Sequence, residues 1–363
     1  MAQGIAIYQD AAIGEPPWAE RLGEYLAAQG VDVIPVRRPD GQAFGALRKA
    51  DGFMWRFTHG PASQGIAKPF LSAVEHALPI PVWPNFATRW HYDDKIAQAW
   101  LLELAGAPLP ETAIFDDAGD ALAWSAKAGY PLVFKLRGGA SSQSVCLVES
   151  PAAAARLIGR VFDRGLTGHH DLAAIARGDV GPLWKRSRGL PGDVARVVAR
   201  RLRYGRAHLL EPSVPVLWPM ESTAVLFQEY LPGNEFDYRV TVIGDRAFGF
   251  RRFNRPGDFR ASGSGRIDAD PSQVGLDAVQ LAFDISGRLR FQSMAYDFVR
   301  DREGRVRLLE ISYTFVGRAV AQCPGHWDRD LRWHPGQLRP EDAIAEDFLE
   351  EVRRLRHDVA RGR

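Results

Sequence analysis

Strand-like and helix-like segments alternate along the first 88 residues of the chain. An apolar run at 5–8 precedes a segment with helical periodicity at 18–29, and a β-branched run follows at 31–36. The same order repeats in the runs at 51–57, 66–77 and 80–83. Strands that alternate with helices pair in parallel, because each helix carries the chain back to the start of the next strand. The pattern predicts a small doubly wound α/β domain over residues 1–88.

The pattern of the remaining chain indicates two further segments. Residues 89–224 carry helical patterns at 93–105, 118–128 and 151–164 and two short strands, at 131–136 and 145–148. Residues 225–363 become antiparallel, with two hairpins followed by a helix at 340–361. We therefore expect an N-terminal domain at 1–88, a central segment at 89–224 and a C-terminal segment at 225–363.

Composition and charge exclude several classes of protein. The chain has 363 residues, 46 Lys and Arg against 44 Asp and Glu, and a formal net charge of +2. A nucleic-acid-binding protein would show a clearer basic surplus, and no apolar stretch approaches the ~20 residues of a spanning helix. The N-terminus lacks the basic and apolar regions of a signal peptide, and two cysteines are too few for a disulfide framework. We expect a soluble cytoplasmic protein that binds neither nucleic acid nor membrane.

A basic stretch occupies residues 156–206, where 12 Lys and Arg stand against 4 Asp. One interpretation is a solvated helical insertion. The other is a surface that attracts an acidic substrate or partner through its charge.

A hairpin near the C-terminus brings two carboxylates opposite each other. Two apolar strands flank a turn, and a two-residue loop at Glu303-Gly304 would pair Asp297 with Glu310. Alternation along the strand puts Ser312 on the same face as Glu310. Opposed carboxylates repel and lose hydration, which is tolerated when a cation compensates, and Mg²⁺ prefers such oxygen ligands together with phosphates. A metal site is one interpretation, and two side chains that point to water are the other.

A second hairpin gathers acidic and basic side chains on one face. A two-residue loop at Gly244-Asp245 would pair Asp237 with Arg252 and place Arg239 on the same face. One carboxylate and two guanidiniums suit a ribose hydroxyl and a phosphate or acyl-phosphate oxyanion. A cross-strand salt bridge with no catalytic role is the alternative.

Lys135 ends an apolar strand and is followed by a loop of small residues at 138–142. Small residues let the backbone approach a phosphate closely, and backbone N–H groups can donate to its oxygens. The segment is not a P-loop, because the lysine precedes the glycines. A phosphate contact and an ordinary turn both stay open for this segment.

Taken in order, these segments resemble the ATP-grasp superfamily from about residue 84 to residue 320. The matching motifs are Asp94-Lys95, Y-P-L-V-F-K at 130–135, F-Q-E-Y-L-P-G at 227–233, Asp237-Tyr238-Arg239, G-D-F-R at 257–260, Asp297 and L-E-I-S at 309–312. Each motif is loose by itself, and their order and spacing carry the resemblance. The most similar patterns are those of ribosomal-protein glutamate ligases, glutathione synthetase-like enzymes and related amino-acid ligases. The resemblance implies an ATP-grasp fold preceded by the small α/β domain.

The resemblance also implies which residues bind ATP. The residues concerned are Lys95, Lys135, Gln228, Glu229, Leu231 and Asp237. The two lysines would contact the phosphates, with Lys135 also near the adenine. The residues at 228–231 would form a strand that hydrogen-bonds the adenine, and Asp237 would hold the ribose.

Metal-binding and catalytic residues follow from the same resemblance. Asp297, Glu310 and Ser312 would bind Mg²⁺, although the superfamily usually has Asn at the position of Ser312. A hydroxyl is a weaker ligand than an amide oxygen, so the number of metal ions, one or two, stays open. Ser262 likewise stands where relatives often have Asn. The residues implied to stabilise the transferred phosphate and the tetrahedral intermediate are Arg239, Arg252 and Arg260.

The activity implied by the resemblance is that of an ATP- and Mg²⁺-dependent carboxylate–amine ligase. ATP would convert a carboxylate into an acyl phosphate with release of ADP, and an amine would then attack to form an amide. The alternatives are a phosphotransferase of the same fold that acts on a hydroxyl acceptor, and a non-catalytic nucleotide-binding protein. The expected partners are small-molecule carboxylate and amine substrates. A peptide or an acidic substrate, and a homo-oligomer, are left open.

Overall fold

The computed structural model describes residues 3–9, 18–139, 144–167, 171–178, 220–260 and 264–361. The chain divides into two compact units. The first unit combines Met1–Thr112 with Glu229–Arg363, and the second combines Ala113–Gly139 with Gln143–Gln228. The boundaries at 88 and 224 stay predictions.

The strands and helices are numbered here in chain order. The strands are β1 (Gly4–Tyr8), β2 (Asp32–Val36), β3 (Gly52–Met54), β4 (Val82–Trp83), β5 (Thr112–Phe115), β6 (Leu132–Lys135), β7 (Val145–Val148), β8 (Val225–Glu229), β9 (Phe236–Ile243), β10 (Arg246–Phe253), β11 (Ile267–Asp268), β12 (Ser293–Arg300), β13 (Val306–Ser312), β14 (Gly325–Trp327) and β15 (Trp333–Pro335). The helices are α1 (Trp18–Ala28), α2 (Gly41–Leu47), α3 (Pro61–Ala77), α4 (Phe86–Arg89), α5 (Lys95–Leu104), α6 (Ala118–Ser125), α7 (Pro151–Arg164), α8 (Leu172–Arg177), α9 (Leu276–Leu289), α10 (Gly317–Val320) and α11 (Pro340–Ala360). No helix of the described ranges is long and apolar enough to cross a membrane.

The N-terminal sheet of the first unit is parallel and has the strand order β2-β1-β3-β4. The chain moves from β1 to β2 on one side and returns to β3 on the other, which confirms the predicted doubly wound arrangement. The prediction lacked α2, whose first turn is capped by the carboxylate of Asp40. It also made β3 too long, because the strand ends at Met54.

The large sheet of the first unit contains seven strands, and its order is β13-β12-β9-β10-β14-β15 with β11 paired to β10. Its described pairs are antiparallel, as predicted for this part of the chain. Both predicted hairpins are adjacent in this sheet, because β12 of one pairs with β9 of the other. The charged residues of the two hairpins therefore share one surface.

Aromatic packing brings the end of β13 against the segments that follow β3 and precede α5. The ring of Phe57 lies 5.2 Å from the ring of Tyr313 and 5.6 Å from that of Tyr92, measured between centroids. The Tyr313 hydroxyl donates to the backbone oxygen of Phe57 at 2.9 Å. Complete burial of a side chain such as Phe57 stabilises the fold by roughly 1.5–3 kcal/mol. These contacts fix the polar residues beside them.

The second unit contains a four-stranded sheet with the order β5-β8-β6-β7. Its core is a separate apolar cluster in which Phe134, Leu157 and Phe227 are fully buried. Helix α7 has the predicted bounds: Ser150 caps its first turn and Gly165, with φ of 72°, ends it.

Candidate active site

The hairpin β12–β13 pairs Asp297 with Glu310, which confirms the predicted pairing. The predicted two-residue loop at Glu303-Gly304 is wrong, because β12 ends at Arg300 and β13 begins at Val306. The five-residue loop changes the register by one, and a β-bulge beside Asp297 changes it back. The two departures from the predicted geometry cancel at the Asp297 pair.

Asp301 explains the longer loop. Its carboxylate accepts hydrogen bonds from the backbone N–H groups of Glu303 at 3.0 Å and Arg305 at 2.9 Å. Gly304 has φ of 78°, a left-handed conformation that glycine adopts without steric cost. The hydrogen bonds that Asp301 accepts within its own loop favour the five-residue loop over the two-residue turn.

The hairpin β9–β10 has the predicted Gly244-Asp245 loop and pairs Asp237 with Arg252. On the other side of β9, Arg239 lies opposite Asp297 of β12. Three neighbouring strands therefore carry two carboxylates and two guanidiniums next to each other.

These four residues, Asp237, Arg239, Arg252 and Asp297, are called the ion-pair cluster below. Arg239 donates from Nε and Nη2 to the two carboxylate oxygens of Asp297, both at 2.7 Å. Arg252 donates to both oxygens of Asp237, at 2.7 and 2.5 Å, and its Nη2 also lies 2.7 Å from Asp297 Oδ2. The side chains are 10–18% exposed. The formal charges of the cluster cancel, so the charges are buried in compensated form.

Burial and the neighbouring guanidiniums change the pKa values of the two carboxylates of the ion-pair cluster in opposite directions. Burial raises the pKa of Asp297, but the guanidiniums of Arg239 and Arg252 outweigh it and hold this pKa well below the usual range. Burial also raises the pKa of Asp237, and here Arg252 does not outweigh it, since the charge of Asp297 adds to the increase. Asp297 is therefore the more firmly ionised of the two carboxylates.

The repulsion expected between Asp297 and Glu310 is compensated by cations of the protein itself. Asp297 is paired with two arginines, and the Oε1 atom of Glu310 lies 3.7 Å from Nζ of Lys95. Lys95 is 7% exposed at the start of α5, where the carboxylate of Asp94 caps the helix. The opposed carboxylates thus do not by themselves require a metal ion.

Asp297 and Glu310 can nevertheless bind a metal ion. Asp297 Oδ1 accepts a hydrogen bond from Arg239 Nε, and a carboxylate oxygen has two lone pairs. The side chain of Glu310 is 41% exposed, and the hydroxyl of Ser312 has long contacts of 3.4 and 3.5 Å to Thr314. Mg²⁺ takes one or two protein carboxylates and completes its shell with phosphate and water. The donor set fits Mg²⁺ in the presence of a bound phosphate.

The described side chains do not by themselves form a complete metal site. Within the described ranges, no group of three or more His, Cys, Asp or Glu could hold a metal ion. The arrangement therefore suits a metal ion that arrives with a phosphate.

Three other predicted residues of the first unit lie outside the ion-pair cluster. Arg260 follows β10, and its Nε lies 2.8 Å from Asp258 Oδ1. Glu229 ends β8 and donates from its backbone to the oxygen of Glu111 at 2.7 Å. Leu231 lies just before the turn at residues 232–233. Their roles in catalysis and adenine binding stay predictions.

Lys135 and Gln228 belong to the second unit, on the neighbouring strands β6 and β8. Gln228 is buried, and Lys135 is half-buried at the end of its strand. The loop that follows needs glycine at Gly139, whose φ is 117° and whose Cβ would lie 2.7 Å from Ser144 Oγ. Residues 140–143 of this loop, Ser262 and most of the basic stretch lie outside the described residues.

Sequence reasoning missed three polar residues that meet beside Ser312. His59 Nδ1 lies 2.7 Å from Tyr92 Oη, and the hydroxyl of Thr314 donates to Tyr92 Oη at 2.5 Å. The three come from the β3–α3 loop, the turn before α5 and the segment after β13. The one available signal was a histidine just past a strand end, which is a weak signal in a single sequence.

Comparisons with known proteins identify the fold. No family model matches the sequence, and no curated protein matches it by sequence. Solved structures do match: a RimK domain ATP-grasp protein from Sphaerobacter thermophilus has a TM-score of 0.52 and 18% identity, over 95% of this chain and 99% of that one. The chain therefore has the ATP-grasp fold, as the sequence motifs implied.

Two further solved structures match over a similar share of the chain. The ATP-grasp ligase PsnB, solved with a minimal precursor, Mg and ADP, has a TM-score of 0.53 and 14% identity, over 96% of this chain and 98% of that one. The D-cycloserine synthetase DcsG has a TM-score of 0.54 and 15% identity, over 96% and 100%. The likeness extends over almost the whole chain, so it includes the N-terminal parallel sheet.

Proposed function

We propose that this protein is an ATP- and Mg²⁺-dependent carboxylate–amine ligase. One observation carries the proposal: Asp297 and Glu310 lie opposite each other on one sheet surface, with Lys95 and two arginines beside them. Two carboxylates surrounded by cations suit a metal-bound polyphosphate, because the metal takes the carboxylates and the cations face the phosphate oxygens. Of the matched structures described above, PsnB is an ATP-grasp ligase solved with Mg and ADP, and DcsG is a D-cycloserine synthetase.

ATP and Mg²⁺, when bound, supply the phosphoryl group that activates a carboxylate and the charge that neutralises the phosphates. Asp297 and Glu310 are the carboxylates that hold the metal, with Ser312 as the third donor. Lys95 lies 3.7 Å from Glu310, so a phosphate beside Glu310 is within its reach. Arg239 fixes the orientation of Asp297 through its two hydrogen bonds.

Arg252 has the role of charge stabilisation in this proposal. It bridges Asp237 and Asp297, and the two carboxylates outweigh burial and raise its pKa, so its positive charge is permanent. A fixed cation beside the reacting carbonyl stabilises the developing oxyanion. Asp237 is buried and gives both oxygens to Arg252, so we assign it to the support of Arg252 in place of the ribose contact.

For the remaining residues the proposal keeps the roles that the resemblance implies. Lys135 contacts phosphate, and Arg260 contacts the transferred phosphate. The adenine is contacted by Gln228, Glu229 and Leu231. The proposed partners are a small or peptide carboxylate and an amine.

Measurement of ADP and free phosphate tests the proposal. The purified protein is mixed with ATP-Mg²⁺ and pooled amino acids, dipeptides and simple amines. A ligase releases ADP and free phosphate in equal amounts, and only when an acid and an amine are both present. A phosphotransferase yields ADP while the phosphate stays on the acceptor, and a non-catalytic protein yields neither. Glu310→Gln is the matched control, because it removes one metal ligand with little change in shape.

A further inference from the structure

Three polar side chains beside the metal-binding hairpin form a connected network with a defined direction. The hydroxyl of Thr314 donates to Tyr92 Oη, which leaves the single proton of Tyr92 for His59 Nδ1, 2.7 Å away. Neutral His59 therefore accepts at Nδ1 and carries its own proton on Nε2, which lies 3.5 Å from Thr314 Oγ1. These three residues are called the His59 network below.

The His59 network begins next to the residues proposed to hold metal and phosphate. Thr314 Oγ1 lies 3.4 Å from Ser312 Oγ, and Ser312 is two positions beyond Glu310 on β13. Tyr92 is 2% exposed and Thr314 9% exposed, whereas His59 is half-buried. A proton that enters at Thr314 can thus reach an imidazole that is in contact with solvent.

The charges around His59 suit a group that is neutral at rest and receives a proton. Burial lowers the pKa of His59, and the charges of Arg56 and Lys95 lower it further. The carboxylate of Asp93 acts in the opposite direction and stabilises the protonated imidazole, as does that of Glu310 while no metal ion is bound to it. These four groups have the largest charge effects on the pKa of His59.

The backbone around Asp93 is held in a conformation that needs support. Asp93 has φ of 57°, which places a residue other than glycine in the strained left-handed region. Gln64 Nε2 donates to Asp93 Oδ2 and to the backbone oxygen of His59, both at 3.0 Å. Gln64 therefore ties the carboxylate to the histidine that it stabilises.

We propose that the His59 network takes a proton from the amine substrate, a primary ammonium group in solution, an inference that rests on the proposed ligase activity. The ammonium N–H bond breaks and its proton binds Thr314 Oγ1, while the proton of Thr314 passes to Tyr92 Oη and that of Tyr92 to His59 Nδ1. The hydroxyls end neutral and His59 ends as an imidazolium. The amine keeps the electron pair and attacks the acyl carbon. The C–O bond to phosphate then breaks, and the phosphate leaves with that electron pair and the remaining surplus proton of the nitrogen.

Competition between two nucleophiles tests this proposal. Hydroxylamine is largely unprotonated at neutral pH and captures an acyl phosphate without help, whereas glycinamide is partly protonated and gains from a proton acceptor. Wild type and variants are incubated with ATP-Mg²⁺ and the pooled amino acids, and hydroxamate and glycinamide products are quantified. General-base catalysis contributes about 10²–10⁴-fold, so His59→Gln should lower the ratio of amide to hydroxamate at least tenfold. Tyr92→Phe interrupts the same path and should lower the ratio in the same direction.

The controls separate this proposal from the proposed function. His76→Gln changes an exposed histidine on α3 and should leave the product ratio at the wild-type value. A wild-type ratio in folded His59→Gln and Tyr92→Phe overturns the network's role while the ligase stands. Absence of both products with the wild type overturns the ligase proposal, and the network's role with it.

Nitrogen-15 NMR of the imidazole gives a readout that needs no substrate. We expect His59 at neutral pH to carry a proton on Nε2 and none on Nδ1. In Thr314→Val the network loses its first donor, so the Nδ1 proton population should rise. A proton on Nδ1 in the wild type would overturn the direction of transfer.

Discussion

The two opposed carboxylates of the β12–β13 hairpin should differ sharply in their contribution to stability. Asp297→Asn leaves the guanidiniums of Arg239 and Arg252 with the carboxylate of Asp237 alone, a surplus positive charge in a site whose side chains are 10–18% exposed. Removing one partner of a buried ion pair costs about 3–5 kcal/mol. The asparagine oxygen still accepts one hydrogen bond, so we expect the low end, about 3 kcal/mol. For a unit of this size that loss lowers Tm by about 6–12 °C.

Glu310→Gln provides the matched comparison in the same hairpin. The side chain of Glu310 is 41% exposed, and among the described residues its ion-pair partner is Lys95, at 3.7 Å. An exposed pair of this kind is worth at most about 1 kcal/mol, less in salt. We expect a Tm within about 4 °C of the wild type. Both substitutions should nevertheless abolish phosphate release, because each removes a proposed metal ligand.

The assay is urea unfolding of the wild type and both variants at low salt, repeated at several pH values. The folded-state pKa of Asp297 lies below its unfolded value of about 4. Its stabilisation is therefore complete above that value and is lost as the pH falls through it towards the folded pKa. The difference between wild type and Asp297→Asn should shrink below pH ~4. Equal stability of the two variants, or a gain in Asp297→Asn, would show that repulsion between the carboxylates dominates and would refute the ion-pair account.

Three further predictions concern other parts of the chain. Burial lowers the pKa of His91 to about 4, below its ordinary value of 6.5. The free energy of unfolding should therefore decrease by about 2 kcal/mol from pH 7 to pH 5, because the unfolded chain takes up a proton there. His91→Phe should remove this pH dependence in urea titrations. Lys135→Ala should weaken ATP-Mg²⁺ binding more than tenfold by calorimetry, and unchanged affinity in a folded variant would remove Lys135 from the site. Ser312→Asn should lower the Mg²⁺ concentration needed for half-maximal activity and Ser312→Ala should raise it, whereas equal metal dependence in both would exclude Ser312 as a ligand.

Elements with strong local signals were predictable from the sequence. The bounds of α7 were predicted at both ends, because Ser150 caps the helix and Gly165 ends it. The β9–β10 hairpin was predicted residue by residue, because a Gly-Asp pair between apolar strands has few alternatives. In contrast, α9 was missed, and Gly275 at its start makes no side-chain cap that a sequence would show.

The non-local parts of the candidate site were not predictable in the same way. The sequence predicted Asp237, Arg239 and Arg252 in one hairpin and Asp297 in another. The pairing of β9 with β12, which turns these residues into one ion-pair cluster, joins segments about 58 residues apart. The His59 network joins three segments over a still longer separation, up to 255 residues between His59 and Thr314. The pattern of residues within one segment does not indicate such long-range contacts.

Transfer of labelled oxygen tests the central claim most directly. The acid that supports phosphate release is prepared with ¹⁸O in both carboxylate oxygens, and the phosphate released in the presence of ATP-Mg²⁺ and the amine is analysed by mass spectrometry. If the carboxylate is activated as an acyl phosphate, one of its oxygens leaves with the phosphoryl group. We predict one ¹⁸O in each released phosphate and one in the amide. Unlabelled phosphate together with a doubly labelled carboxylate would contradict the proposed ligase reaction.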